Sequence, residues 1–216
     1  MTDAGLKARA TNCTAPSTRH EAPTSAKATA GKRGTAPSTK HPARSTGYYQ
    51  YMPVVSFDQL QPESRLWIFA ADRSLSGEES ARLLAGVDAF LTQWKAHGHP
   101  LTVARDWKYD RFLLVGVDEA SAGASGCSVD AMVRTLGELE QALQVQLLDH
   151  GPVLFRHDNG IARLPRPAFA ELARGGAVSP DTVVFNNTLT RVAELRDGLW
   201  ETPARASWHA RAFGLT

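Results

Sequence analysis

From residue 54 onward the apolar positions recur with a period of either two or about three and a half; before it they show no period at all. Arg65–Ala70 is a compact apolar run that suits a buried strand. Ser76-Gly77-Glu78-Glu79 then reads as a capping box, in which each side chain satisfies the other's backbone N–H. Leu83, Leu84, Val87, Phe90, Leu91 and Trp94 follow at helical spacing, and His97-Gly98-His99-Pro100 stops the helix. Residues 101–109 alternate as a strand, Asp110 allows a turn, and Phe112–Val117 forms a more buried strand. After a small-residue loop at 120–126, a second helix is expected near Ser128. Its buried face is Val129, Met132, Val133, Leu136, Leu139 and Leu143. Val145–Leu148 is read as a short closing strand.

This order of strand, helix, strand, strand, helix, strand predicts an α+β protein with a split βαβ (ferredoxin-like) core over 54–149. Residues 150–214 have a different texture. Val153–Arg156 and Ile161–Leu164 flank an Asn159-Gly160 step, a strong hairpin signal. Pro167 starts a helix through Leu172 that Gly175-Gly176 ends. Val183–Phe185 is a short strand, and Thr190 caps a last helix through Leu195. This hairpin-plus-helix region is expected to pack on the core, because Trp200, Trp208 and Phe213 need somewhere to bury.

Charge separates the first 51 residues from the rest. They hold eight Lys or Arg and two acids, a balance of +6, whereas the remainder carries −4. The pI near 8.6 therefore comes from the N-terminal segment. That segment has no large aliphatic or aromatic residue between Leu6 and Tyr48, and Thr14–His20 returns almost unchanged as Thr35–His41. Such a low-complexity chain buries too little to offset its ordering entropy, so residues 1–51 are expected to be a disordered basic tail. It reads as a basic arm, as a targeting peptide, or as an upstream stretch before translation from Met52. The onset of patterning directly after Met52 favours the last.

Two cysteines, Cys13 and Cys127, make no disulfide framework and fit a reducing compartment. No metal-ligand spacing, membrane-length apolar run or secretory core occurs, so the expectation is a cytoplasmic protein without a cofactor. The acidic balance of 54–216 argues against nucleic acid as its partner.

The segments Arg65–Asp72, Phe90–Leu101, Gly123–Asp130, Val184–Leu189 and Ser207–Phe213 carry a resemblance spanning 54–214. They resemble a family of small bacterial proteins commonly labelled "ABC transporter ATPase". The label implies a phosphate-binding Gly-x-x-x-x-Gly-Lys-Ser/Thr loop, and none exists; Gly31-Lys32 is followed by Arg33. Residues 151–208 also resemble bacterial GYF-type modules in the hairpin, the Phe169–Ala173 helix, Gly176, Ser179-Pro180-Asp181-Thr182 and a later Trp. That resemblance implies peptide binding, although the Gly-Tyr-Phe signature is missing.

Candidate chemistry centres on Gly123-Ala124-Ser125-Gly126-Cys127-Ser128. Gly123, Ser125, Gly126 and Ser128 at a helix start favour an anion, and Cys127 there favours a thiolate, with Asp130 opposing both. The plainer reading is a serine N-cap with Cys127 as a small buried packing residue. His209 is the candidate partner for a catalytic Cys127–His209 dyad. Other candidates have stronger structural readings: His97 and His99 as a helix stop, Asp118-Glu119 as a strand end, and Asn186-Asn187 as a turn. Trp67, Phe69, Trp107, Tyr109 and Phe112 offer base-stacking rings, but core packing accounts for them better. The expected function is a non-catalytic binding or regulatory protein for a peptide or small anion. The rivals are a Cys127 thiol enzyme and nucleic-acid binding through the tail or sheet.

Overall fold

The computed structural model describes residues 54–120, 123–158 and 160–216, all of them within one structural unit. The expectations for the tail, Met52 and Cys13, for part of the 120–126 loop and for Asn159 lie outside the described residues.

The chain is α+β. The first strand, β1 (Arg65–Ala70), leads to α1 (Gly77–Gln93). Its capping box forms: Glu79 N donates to Ser76 Oγ at 3.2 Å, and Ser76 N donates to Glu79 Oε2 at 2.8 Å. Arg73 also pairs with Glu79 at 2.7 Å and, with these backbone bonds, holds its carboxyl down at about 2. The expected helix stop is a tight hairpin, β2 (Lys95–Ala96) and β3 (His99–Pro100), whose turn residues His97 and Gly98 both have positive φ. Then come β4 (Thr102–Lys108) and β5 (Phe112–Asp118), joined through Tyr109 and Asp110, again at positive φ. The helix α2 is Gly126–Leu143.

These strands form a three-stranded antiparallel sheet in the order β1-β5-β4. The expected fourth strand at Val145–Leu148 does not form. Glu140 takes the N–H groups of Leu147 and Leu148, the latter at 2.8 Å, so they are not offered to a sheet. The outer edge of β1 is occupied instead by the C-terminal region: Leu66 N donates to Thr190 O at 2.8 Å. The split βαβ expectation is thus met only by its first three strands.

A second, four-stranded antiparallel sheet has the order β7-β6-β8-β9. Its members are β6 (Val153–His157), β7 (Gly160–Leu164), β8 (Val183–Phe185) and β9 (Glu201–Pro203). Two helices accompany it, α3 (Arg166–Arg174) and α5 (Trp208–Phe213), whereas α4 (Val192–Arg196) packs Val192 against Ala104 of β4.

Alternation along the strands fixes the layers. Phe69, Leu113, Val115 and Val117 pack with Leu83, Leu91, Met132 and Leu136 of α1 and α2. Leu66, Ile68, Phe112 and Leu114 point the other way, onto Leu154, Phe185 and Trp200 of the second sheet region. Val153, Phe155 and Val184 face outward again, onto Phe169 of α3 and Trp208 and Phe213 of α5. The result is helix pair, sheet, sheet, helix pair. Both faces of β5 are covered, and Asp118 is its one residue not fully buried.

Candidate functional site

The Gly123–Ser128 segment is a capped helix start. Ser125 is the N-cap of α2, and its Oγ accepts from Ser128 N at 3.3 Å. Ser128 Oγ donates back to Ser125 O at 2.8 Å. A carboxylate already sits beside the turn, since Glu119 Oε1 accepts from Ala124 N at 3.2 Å. Ser125 and Ser128 are therefore engaged with each other at the helix start. The N-cap reading of Ser125 holds, but the burial expected of Cys127 does not: its side chain is exposed. The helix buries Ser128, Met132, Leu136 and Leu143, and Cys127 lies one residue, about 100°, off that stripe.

His209 is 1 % exposed, on α5. It belongs to the outer helix layer of the second sheet, whereas Cys127 belongs to the outer helix layer of the first. Both sheets stand between them, and the structure does not bring the two residues together. The remaining candidates have local roles. His97 and His99 flank the turn glycine. Asp118 accepts from Ala120 N at 2.9 Å. Asn186 closes its own turn through Thr188 at 2.6 Å. Of the five sheet aromatics, Phe69 and Phe112 are buried, Trp67 and Trp107 pack half-buried against the first cluster, and Tyr109 alone is largely exposed, at 46 %. The sheet presents no platform of rings to bases.

His209 instead lines a cavity of about 230 Å³ that sequence spacing alone does not reveal. Its walls come from the end of β1 (Ala70), the 149–152 loop and the start of β6, the chain after β8 (Asn187, Thr188), the start of α3 (Arg166) and the start of α5 (Trp208, His209). Val153, Leu154, Phe185 and Trp208 make the interior mainly apolar. Ser207 Oγ lies 2.8 Å from His209 Nδ1 and is 3.1 Å from Ala204 O as a donor. The imidazole stacks on Trp208 with ring centroids 3.8 Å apart. Burial, reinforced by the nearby positive Arg166, lowers its pKa to about 4, so His209 is neutral at pH 7.

Arg166 sits at the rim. Its Nε donates to Gly151 O at 3.1 Å, and its guanidinium lies 4.9 Å from the Trp208 ring centroid. Among the described residues no carboxylate pairs with it, whereas the neighbouring Arg163 is matched by Asp149 at 2.6 Å. Arg166 is also the first residue of α3, where a cation opposes the helix dipole and no side chain caps the turn. Within the described residues its contacts are the Gly151 carbonyl and the Trp208 ring, with no carboxylate among them. Pro165-Arg166-Pro167, a cation fixed at a helix start, was the available sequence signal for this site.

A wider groove of about 570 Å³ adjoins the cavity and shares Asp149, Pro152 and Arg166 with it. Elsewhere, Tyr109, Trp200 and Glu201 line a shallower depression in which the charges satisfy one another. Tyr109 Oη donates to Glu201 at 2.6 Å, and Arg156 pairs with the same carboxylate at 2.7 Å. No group of His, Cys, Asp and Glu among the described residues is arranged to hold a metal ion, and no described helix is long and apolar enough to cross a membrane. Compared with known proteins, the chain matches no family model, no curated protein and no solved structure.

Proposed function

We propose that the protein is a non-catalytic binding protein whose ligand carries an apolar group and one negative charge. The observation that carries this reading is the Arg166 guanidinium, without a carboxylate partner among the described residues, beside a mainly apolar cavity lined in part by Trp208 and His209. The apolar group enters the cavity, where area removed from water contributes about 25 cal/mol per Å². The anion remains at the rim, against Arg166. With Nδ1 held at Ser207, His209 leaves Nε2 for a polar atom of the ligand.

Titration of the full chain with hexanoate and with hexanamide, followed by ¹H–¹⁵N NMR, tests the reading. Hexanoate should shift the signals of Arg166, Trp208 and His209 more than the amide does. Shifts confined to other parts of the fold, or none from either probe, would overturn it.

A further inference from the structure

We infer that the cavity and its adjoining groove together take the free C-terminus of a peptide chain, with an apolar last side chain in the cavity and its carboxylate at Arg166. This rests on the binding reading above and specifies the ligand class.

The first argument is size. A cavity of about 230 Å³ lies below the roughly 300–1,000 Å³ typical of sites that enclose a whole small molecule. It suits the end of a longer ligand. The second is continuity. The cavity, lined in part by Trp208 and His209, shares Asp149, Pro152 and Arg166 with the groove of about 570 Å³. A ligand with one blunt end and one extended arm matches that shape.

Charge then selects the chemistry. At the junction the Arg163 charge is met by Asp149, and Arg166 keeps a single positive charge that no described carboxylate meets. One carboxylate balances it; a phosphate monoester brings about two charges. The buried imidazole of His209 is neutral, so the charged group stays at the junction and the apolar one goes in. The groove walls include Pro152, Pro165 and Pro167, which present rigid apolar surface and no backbone N–H. Chain contacts there are therefore side-chain packing rather than strand addition, and the anchoring polarity falls on the terminus.

Isothermal titration calorimetry on the full chain tests the inference. The probes are pooled acetylated pentapeptides ending in Leu, Ile, Val or Phe as free acids, the same pool as C-terminal amides, and acetyl-leucine. The free-acid pool should bind at least about tenfold more tightly than the amide pool, and more tightly than acetyl-leucine. Arg166→Gln, a change at an exposed position, should remove the acid preference. The acid–amide comparison is made on the unaltered protein, so it stands whether or not the variant folds. Equal binding of acids and amides overturns the inference, as does a preference that survives Arg166→Gln. Acetyl-leucine binding as tightly as the pentapeptide acids removes the peptide but leaves the cavity reading standing. No binding by any probe removes both.

Discussion

Arg111 joins the two sheets, and its replacement is the most searching test of how they are held. It precedes β5, is 6 % exposed and has no carboxylate partner among the described residues. Its Nε and Nη2 donate to Ala71 O at 3.0 Å and Asp72 O at 2.6 Å, at the end of β1. Its Nη1 donates to Ile161 O at 2.6 Å, on β7 of the other sheet. Burial pulls its pKa down from the usual guanidinium value, with Arg163 adding to the effect. Arg111→Met keeps the aliphatic stem and deletes all three donors. Hydrogen bonds from a charged group contribute about 1.5–3 kcal/mol each, so the gross loss is about 5–9 kcal/mol. Removing a buried charge returns several kcal/mol of desolvation. The net expectation is a destabilisation of about 2–4 kcal/mol, a large share of the roughly 5–15 kcal/mol of a typical domain. For a folded unit of this size that is a fall in Tm of about 5–15 °C. Urea unfolding at pH 7, read by far-UV circular dichroism and by Trp fluorescence, measures it. Arg111→Lys should also destabilise, because an ammonium cannot span three carbonyls set in fork geometry. A Met variant as stable as the unaltered protein would refute the reasoning, since desolvation would then cancel the three bonds.

Three further outcomes follow from the same structure. His209 has a folded pKa of about 4 against an unfolded value near 6.5, so the unfolded state takes up a proton that the folded state does not. Stability from this group is complete above about pH 6.5 and is lost as pH falls towards 4, by up to about 3 kcal/mol; the stability difference between the protein and His209→Gln should shrink over that window, and a pH-independent difference sinks the assignment. Gly116→Ala places a Cβ 2.3 Å from Leu60 Cδ1 in the core and should cost about 1–3 kcal/mol, whereas Gly77→Ala at the start of α1 meets nothing within 4 Å and should be neutral or stabilising by up to about 1 kcal/mol; thermal unfolding of the pair decides, and the reverse order refutes the packing. Iodoacetamide should label Cys127 in the native protein about as fast as in urea, and strong native protection would contradict its exposure.

The first half of the fold is largely legible because its signals are local. The Ser76–Glu79 box, the α1 stripe and the two long strands each announce themselves within a dozen residues. In the second sheet the β6–β7 hairpin and β8 are legible for the same reason, and its last strand is not. β9 is Glu201-Thr202-Pro203, which has no apolar alternation, and it exists because Val183–Phe185 pairs with it. The expected closing strand has suitable residues, yet the Glu140 side chain and Thr190 take the hydrogen bonds it needs. Cys127 draws attention by residue type, and the helix start beside it carries its own serine cap and a neighbouring glutamate. Arg166 draws little attention in the sequence. Its importance lies in what the fold fails to place beside it.

The burial of β5 on both faces also has a kinetic side. Its amides are hydrogen-bonded to β1 and β4 and covered above and below, so their exchange with solvent requires global opening. The 149–152 loop that walls the cavity is held differently, by side chains of the second sheet region: Asp149 pairs with Arg163 at 2.6 Å, and Gly151 O accepts from Arg166 Nε at 3.1 Å.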